Sequence, residues 1–157
     1  MAYSQQIADR LREIFASMNV NASFEEKANC GIFATRLKLR CRLQSAQMII
    51  LVREDNFSTL TTIPLAADEN SRLAVAEYLT RVNFNMRSGN FELNMDTGEI
   101  RFKTYVHVGA GAPDLSAARL AVTLPFFMFD RFGDGLLEVL FGFKSPREAF
   151  EAVQGPK

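Results

Sequence analysis

Few side chains in this sequence could do chemistry: one histidine, two cysteines and two short glycine-containing runs. A general base needs a partner that orients it, and no Ser or Cys is tied to His107 by sequence, so we expect a surface or edge histidine. Cys30 and Cys41 are too few for a zinc site even with the histidine, and we predict reduced structural thiols. Residues 109–111 (Gly-Ala-Gly) lack the third glycine of a dinucleotide fingerprint, which indicates a flexible loop.

The run at residues 130–135 resembles a calcium loop in part. It has Asp at its first and fifth positions and Gly at its sixth. Phe132 and Phe141 stand at the third and twelfth positions, where a calcium loop needs oxygen ligands, so we reject the interpretation as a calcium site. We expect Gly133 and Gly135 to end one helix and admit the next. The sequence predicts no catalytic residue, no metal and no cofactor.

Basic side chains alternate with apolar ones along residues 36–44, a pattern that predicts a half-buried strand. Its basic face consists of Arg36, Lys38, Arg40 and Arg42. Like charges on one strand face repel one another, so something must balance them. Two interpretations stay open: a solvated face balanced by acids such as Glu54, Glu92 or Glu99, or a surface for an anionic partner.

Six of the 14 phenylalanines lie close together near the end of the chain. They are Phe126, Phe127, Phe129, Phe132, Phe141 and Phe143. On a helix, Phe126, Phe127 and Phe129 point in different directions, so one core-facing stripe cannot bury them all. Either a kinked helix carries the rings into the core under a terminal helix, or some rings form a candidate interface. Such an interface would be a homodimer seam or a groove for an amphipathic partner.

Hydrophobic periodicity predicts the elements that position these side chains. Helical spacing predicts an amphipathic helix over residues 3–18, and Asp68 or Asn70 is expected to cap a second helix that runs to about residue 82. Alternation and β-branched residues predict strands at residues 36–44, 48–52, 59–65, 91–95 and 100–108. The unbroken apolar run at residues 48–52 suits a central strand covered on both faces.

The end of the chain is predicted to be helical. A helix begins at Leu115, and Pro125 is expected to kink or break it. Ser145, Pro146 and Glu148 combine an N-cap, a first-turn proline and a capping-box acid, which predicts a short terminal helix.

Together these elements predict an α+β domain. The order α-β-β-β-α-β-β-α implies a mainly antiparallel five-stranded sheet with helices packed on it. The length favours one domain over residues 1–157. With 18 basic and 18 acidic residues the chain is neutral, which disfavours nucleic-acid binding. We find no signal peptide and no membrane-spanning stretch, and expect a cytoplasmic protein.

Two stretches resemble the YbjN family of bacterial sensory transduction regulators. Residues 89–93 (Gly-Asn-Phe-Glu-Leu) and 96–102 (Asp-Thr-Gly-Glu-Ile-Arg-Phe) are similar to its hairpin signature, and residues 142–149 resemble its closing helix. The resemblance covers most of the chain and implies a single YbjN-like domain. That family looks similar in fold to type III secretion chaperones, small cytoplasmic α+β dimers that bind partner polypeptides. No catalytic residue is carried over.

The first hypothesis is therefore a non-enzymatic bacterial interaction or chaperone-like regulatory module. It would be a homodimer that binds an unidentified partner polypeptide through its apolar helix surface, its sheet, or both. The alternative is a small-molecule-sensing domain with a Phe-lined pocket between sheet and helices. An enzyme is the weakest hypothesis, because no nucleophile, metal cluster or paired acid stands out.

Overall fold

The computed structural model describes residues 2–155, which form one antiparallel sheet and four helices. The helices are α1 (Gln5–Ser17), α2 (Arg72–Asn83), α3 (Leu115–Leu140) and α4 (Pro146–Gln154). The strands are β1 (Ser23–Lys27), β2 (Cys30–Lys38), β3 (Ser45–Val52), β4 (Asn56–Ala66), β5 (Asn90–Leu93) and β6 (Glu99–His107). Their order across the sheet is β1-β2-β3-β4-β6-β5. The α+β class and the antiparallel sheet are confirmed. No helix in the described range could span a membrane.

The sheet has six strands, so the predicted count of five is wrong. The missed strand is β1, which is mostly exposed and pairs with the first half of β2 as a hairpin. The strand predicted over residues 36–44 ends at Lys38, and residues 39–44 turn, with the Leu39 N–H donating to the Gln44 carbonyl at 2.7 Å. Leu39 and Leu43 are both buried although they lie in this turn, which explains why the alternation continued past the strand.

The helices pack on one face of the sheet. Alternate residues of β2, β3, β4 and β6 point into two adjacent apolar clusters. One cluster lies under α1 and the first half of α3, with Ile7, Phe33 and Phe57 among its members. The other includes Tyr78 of α2, Phe129 of α3 and Ala149 of α4. Within residues 2–155, no helix covers the opposite face.

Of the two outcomes predicted for Pro125, a kink or a break, the break is wrong, because α3 runs on through it. A helical proline leaves the carbonyl four residues earlier without its N–H partner. Here that carbonyl belongs to Ala121, and the buried hydroxyl of Thr104 on β6 donates to it at 3.0 Å. The sheet thus supplies the hydrogen bond that the proline removes.

The glycines expected to separate two helices, Gly133 and Gly135, also lie inside α3. A Cβ on Gly133 would lie 2.7 Å from Leu43 Cδ1, and one on Gly135 would lie 2.4 Å from Tyr78 Oη. Both distances are too short for real atoms. These glycines therefore allow close packing against the turn at residues 39–44 and against α2, which sequence alone does not reveal.

Replacing Thr104 or Thr61 with valine tests the hydrogen bond to the Ala121 carbonyl, because both threonines are buried but only Thr104 forms that bond. The hydroxyls of Thr59 and Thr104 lie 2.6 Å apart. Because a hydroxyl has one proton and Thr104 donates its own to Ala121, Thr59 must donate to Thr104. Thr104→Val would therefore leave both the Thr59 hydroxyl and the Ala121 carbonyl without a hydrogen-bond partner. We expect it to lower the free energy of unfolding by about 2 kcal/mol. Thr61 Oγ1 is buried and has no partner among the described atoms, so Thr61→Val should be neutral or raise stability by up to about 1 kcal/mol. Urea denaturation measures both, and equal losses would contradict this account.

Local signals near the end of the chain are confirmed. Ser145 and Glu148 form the predicted capping box: the Ser145 N–H donates to Glu148 Oε2 at 2.9 Å, and the Glu148 N–H donates to Ser145 Oγ at 3.2 Å. The β5–β6 hairpin is present as predicted. The N-cap position of α2 is Ser71, whose side chain makes no capping bond, whereas the carboxylate of Asp68, one of the two predicted caps, accepts the Ser71 N–H at 2.8 Å.

Candidate interaction surfaces

The uncovered face of the sheet has an aliphatic centre. Register places Ile32 opposite Leu51, and Ile49 between Ala34 and Leu60. We call these five partly exposed residues the aliphatic patch. Tyr105 of β6, 58% exposed, lies in the row of Ile32 and Leu51 and is separated from Leu51 by Ser58 of β4. Water-facing sides of antiparallel sheets are normally polar, so the aliphatic centre makes this face a candidate interaction surface.

Charges of both signs surround the patch. On β1, Glu25 lies opposite Ile32 and pairs with Lys27. On the other side, Arg101 donates to Glu92 at 2.5 Å, and Lys103 lies 3.4 Å from the same carboxyl group. Partial burial alone would raise the pKa of Glu92, but the hydrogen bond from Arg101 and the two positive charges lower it overall. Glu92 is therefore ionised at neutral pH. The residues around the patch, which we call its rim, carry both negative and positive charges.

The four predicted cations do not share one strand face. Arg36 and Lys38 are exposed on the uncovered face of β2, whereas Arg40 and Arg42 lie in the turn at residues 39–44. The predicted basic face is therefore reduced to two residues.

Among the four cations, only Arg42 forms an ion pair within residues 2–155, and its partners lie on α3. The guanidinium group of Arg42 lies 3.3 Å from Asp134 and 3.4 Å from Glu138. The predicted partners Glu54, Glu92 and Glu99 form no ion pair with the four cations in the described part of the chain. Spacing along the chain did not indicate α3, because it is about 90 residues away from the turn.

The two acids of the run at residues 130–135 hold the same turn. Asp130 accepts the Arg40 N–H at 2.7 Å and Asp134 accepts the Arg42 N–H at 2.9 Å. Among residues 2–155, no cluster of three or more His, Cys, Asp or Glu side chains could bind a metal. Burial raises the pKa of the Cys41 thiol, which makes it a poor nucleophile. The observed role of Asp130 and Asp134 is to hold the turn at residues 39–44.

The six phenylalanines divide between core and surface. Phe129 and Phe132 are buried, and Phe126 packs partly buried against both apolar clusters. The exposed rings are Phe127 at 63%, Phe141 at 62% and Phe143 at 80%. The candidate interface is not continuous, because Phe127 and Phe141 lie about 21 Å apart along α3. Phe141 and Phe143 form a pair with ring centres 6.5 Å apart.

Other exposed apolar residues went unpredicted. Phe84 is 86% exposed just after α2, Leu73 is 77% exposed near its start, and Leu120 is 51% exposed on α3. His107 is exposed at the end of β6, 4.0 Å from Asp55, as the prediction of a surface histidine requires.

A cavity of about 450 Å³ lies among α2, α3, α4 and the segment that follows α2. Its apolar lining includes Val82, Met86, Leu124, Met128, Phe132 and Phe150. Its polar lining comes from Asn85, Arg87, Ser88, Arg131 and Gln154. It therefore lies among helices, not between sheet and helices, and two phenylalanines contribute to its wall.

The wall at residues 85–88 is held at both ends. The side chain of Asn83 donates to the Phe91 carbonyl at 2.9 Å and accepts the Phe91 N–H at 2.8 Å. Gly89 has φ +68°, and a Cβ there would lie 2.6 Å from the Phe102 ring. Asn83 and Gly89 therefore hold the two ends of the segment next to β5 and β6.

Comparison with known proteins identifies the family. The model of the YbjN family, described as "Putative bacterial sensory transduction regulator", matches residues 8–138. This span includes the hairpin signature, whereas the closing stretch at residues 142–149 lies beyond it. No curated protein is significantly similar to the chain. The resemblance to type III secretion chaperones stays a prediction. Because the match covers well over half of its length, this chain belongs to the YbjN family.

Proposed function

We propose that this chain is a non-enzymatic bacterial regulatory module that acts by binding polypeptides, and that it forms a homodimer through the aliphatic patch. One observation carries the proposal. Residues 48–52 are apolar on both sides of β3, as in a strand covered on both faces, but the helices in the described part of the chain cover one face only. A second copy supplies the missing layer.

The mixed charges around the patch favour a second copy of the chain as the partner, in preference to a strongly charged molecule. A twofold interface places the same surface against itself, so a rim of one charge sign would repel its own copy. Glu25 and Glu92 alternate here with Lys27, Arg101 and Lys103. The face measures on the order of 650 Å² from strand spacing and rise. Stable interfaces bury about 800 Å² per partner, so the area of the face is close to what a dimer needs.

Dimerisation through the sheet leaves the helical side free for a partner polypeptide. Phe127, Phe141 and Phe143 are exposed there, and aromatic side chains are the commonest anchors of protein interfaces. The exposed Arg36 and Lys38 would favour an acidic segment next to the dimer seam. The two free thiols, Cys30 and Cys41, suit a reducing compartment, and we place the module in the cytoplasm.

Photo-crosslinking of the purified protein tests which surface forms the dimer. A photoreactive benzoylphenylalanine in place of Tyr105, beside the patch, should give a covalent dimer on irradiation. The same group in place of Phe143, which is more exposed but lies on the helical side, should give little or none. A dimer from position 143 alone, or from neither position, would overturn the proposal.

Small-molecule sensing is the second candidate, and the cavity among α2, α3 and α4 is the observation that favours it. Its volume lies within the range of about 300–1,000 Å³ that is usual for ligand sites. Ligand binding there would leave the aliphatic patch free, so the two candidate roles are compatible in one chain.

A further inference from the structure

We infer that the cavity among α2, α3 and α4 binds a small molecule with an apolar body and a carboxylate head group. The inference rests on the sensing role named above and is independent of the dimer. It follows from three properties of the cavity: its apolar wall, the sign of its charged groups and the clamp on one of its sides.

The apolar wall sets the body of the ligand. Leu124 and Met128 of α3 line the cavity together with Met86 and Phe150. These side chains are flexible or aromatic and offer no hydrogen bonds. Methionine adapts its shape to irregular apolar ligands, so an alkyl chain or a small ring system suits the space.

The charged groups set the head group. Arg87 and Arg131 line the cavity, and no Asp or Glu does. Neither arginine forms an ion pair with the described side chains. The Arg131 guanidinium carbon lies 5.1 Å from the centre of the Phe132 ring, an arrangement that leaves its N–H groups free to donate. A guanidinium group binds a carboxylate through two parallel hydrogen bonds, so the cavity has an unused anion-binding end.

The clamp makes the site suited to sensing. Arg87 lies on the wall at residues 85–88, which Asn83 and Gly89 hold against the sheet, whereas Phe150 and Gln154 belong to α4. A ligand in the cavity therefore bridges α4 to the rest of the domain. Binding to the native state alone raises its stability in proportion to the logarithm of ligand concentration, and α4 would gain most.

Calorimetry with decanoate and decanol tests the inference, because the two probes share an apolar chain and differ in charge. We expect decanoate to bind, and to bind about tenfold or more weakly to Arg87→Gln/Arg131→Gln. Arg53→Gln, a charge change in a remote loop, is the control and should bind like the wild type. Circular dichroism establishes that each variant is folded.

The other outcomes distinguish an error in the proposed head group from an error in the proposed sensing role. Equal binding of decanol and decanoate, with no effect of the arginine changes, would overturn the carboxylate head group and leave an apolar ligand site. Binding of neither probe would overturn the inference together with the sensing role. The dimer would be untouched in both cases, since it is measured by mass.

Discussion

Replacing Gly98 with alanine is expected to lower the free energy of unfolding by about 3 kcal/mol or more. Gly98 has φ +79°, and a Cβ there would lie 1.9 Å from the carbonyl oxygen of Ala67. That oxygen belongs to the backbone just after β4, and the Ala67 N–H donates to the Gly98 carbonyl at 2.9 Å. The clash cannot be relieved by rotating a side chain. It would separate the β5–β6 turn from the end of β4.

Gly142→Ala is the matched control for this change. Gly142 also has a positive φ, +71°, but a Cβ there meets nothing within 4 Å. Gly142→Ala should lower the free energy of unfolding only by the strain of the left-handed conformation, about 1 kcal/mol. Urea denaturation measures both variants, and equal costs would show that contact with Ala67 is not what requires glycine at position 98.

Ile49→Glu should abolish the homodimer while the fold stays intact. Ile49 lies at the centre of the aliphatic patch, between Ala34 and Leu60. In a dimer the new carboxylate would be buried without a partner, at a cost of several kcal/mol, which corresponds to a dissociation constant raised roughly a hundredfold or more. In the monomer the side chain reaches water, so stability should change little.

Gln47→Glu is the control for charge. Position 47 lies on the same strand and the same face, two residues from Ile49, but outside the patch and opposite Arg36. The added charge is identical, and the nearby guanidinium group can balance it. We expect this variant to remain dimeric, so loss of the dimer in both variants would point to net charge and not to the patch.

Local signals in the sequence predicted local structure well. The capping box at Ser145 and the β5–β6 hairpin each involve residues a few positions apart, and both are present. The end of β2 was misjudged because Leu39 and Leu43 keep an alternating pattern within a turn. What holds that turn, Asp130 and Asp134, lies about 90 residues away, where periodicity carries no information.

The candidate surfaces were less predictable for the same reason. The apolar run at residues 48–52 predicted a strand covered on both faces, but the helices within residues 2–155 cover only one of them, because which elements pack on a strand is not a local property of the sequence. Helix α3 continues through Pro125, where Thr104 of β6 donates the hydrogen bond that the Ala121 carbonyl would otherwise lack. The cavity depends on four segments, and neither Arg87 nor Arg131 stands out until the fold brings them together.

The most direct test of the central claim, a homodimer formed through the aliphatic patch, is sedimentation equilibrium of the wild type, Ile49→Glu and Gln47→Glu side by side. We predict twice the chain mass of 17.6 kDa for the wild type and Gln47→Glu, and a single chain mass for folded Ile49→Glu. A monomeric wild type, or a dimer that survives Ile49→Glu, would contradict the account.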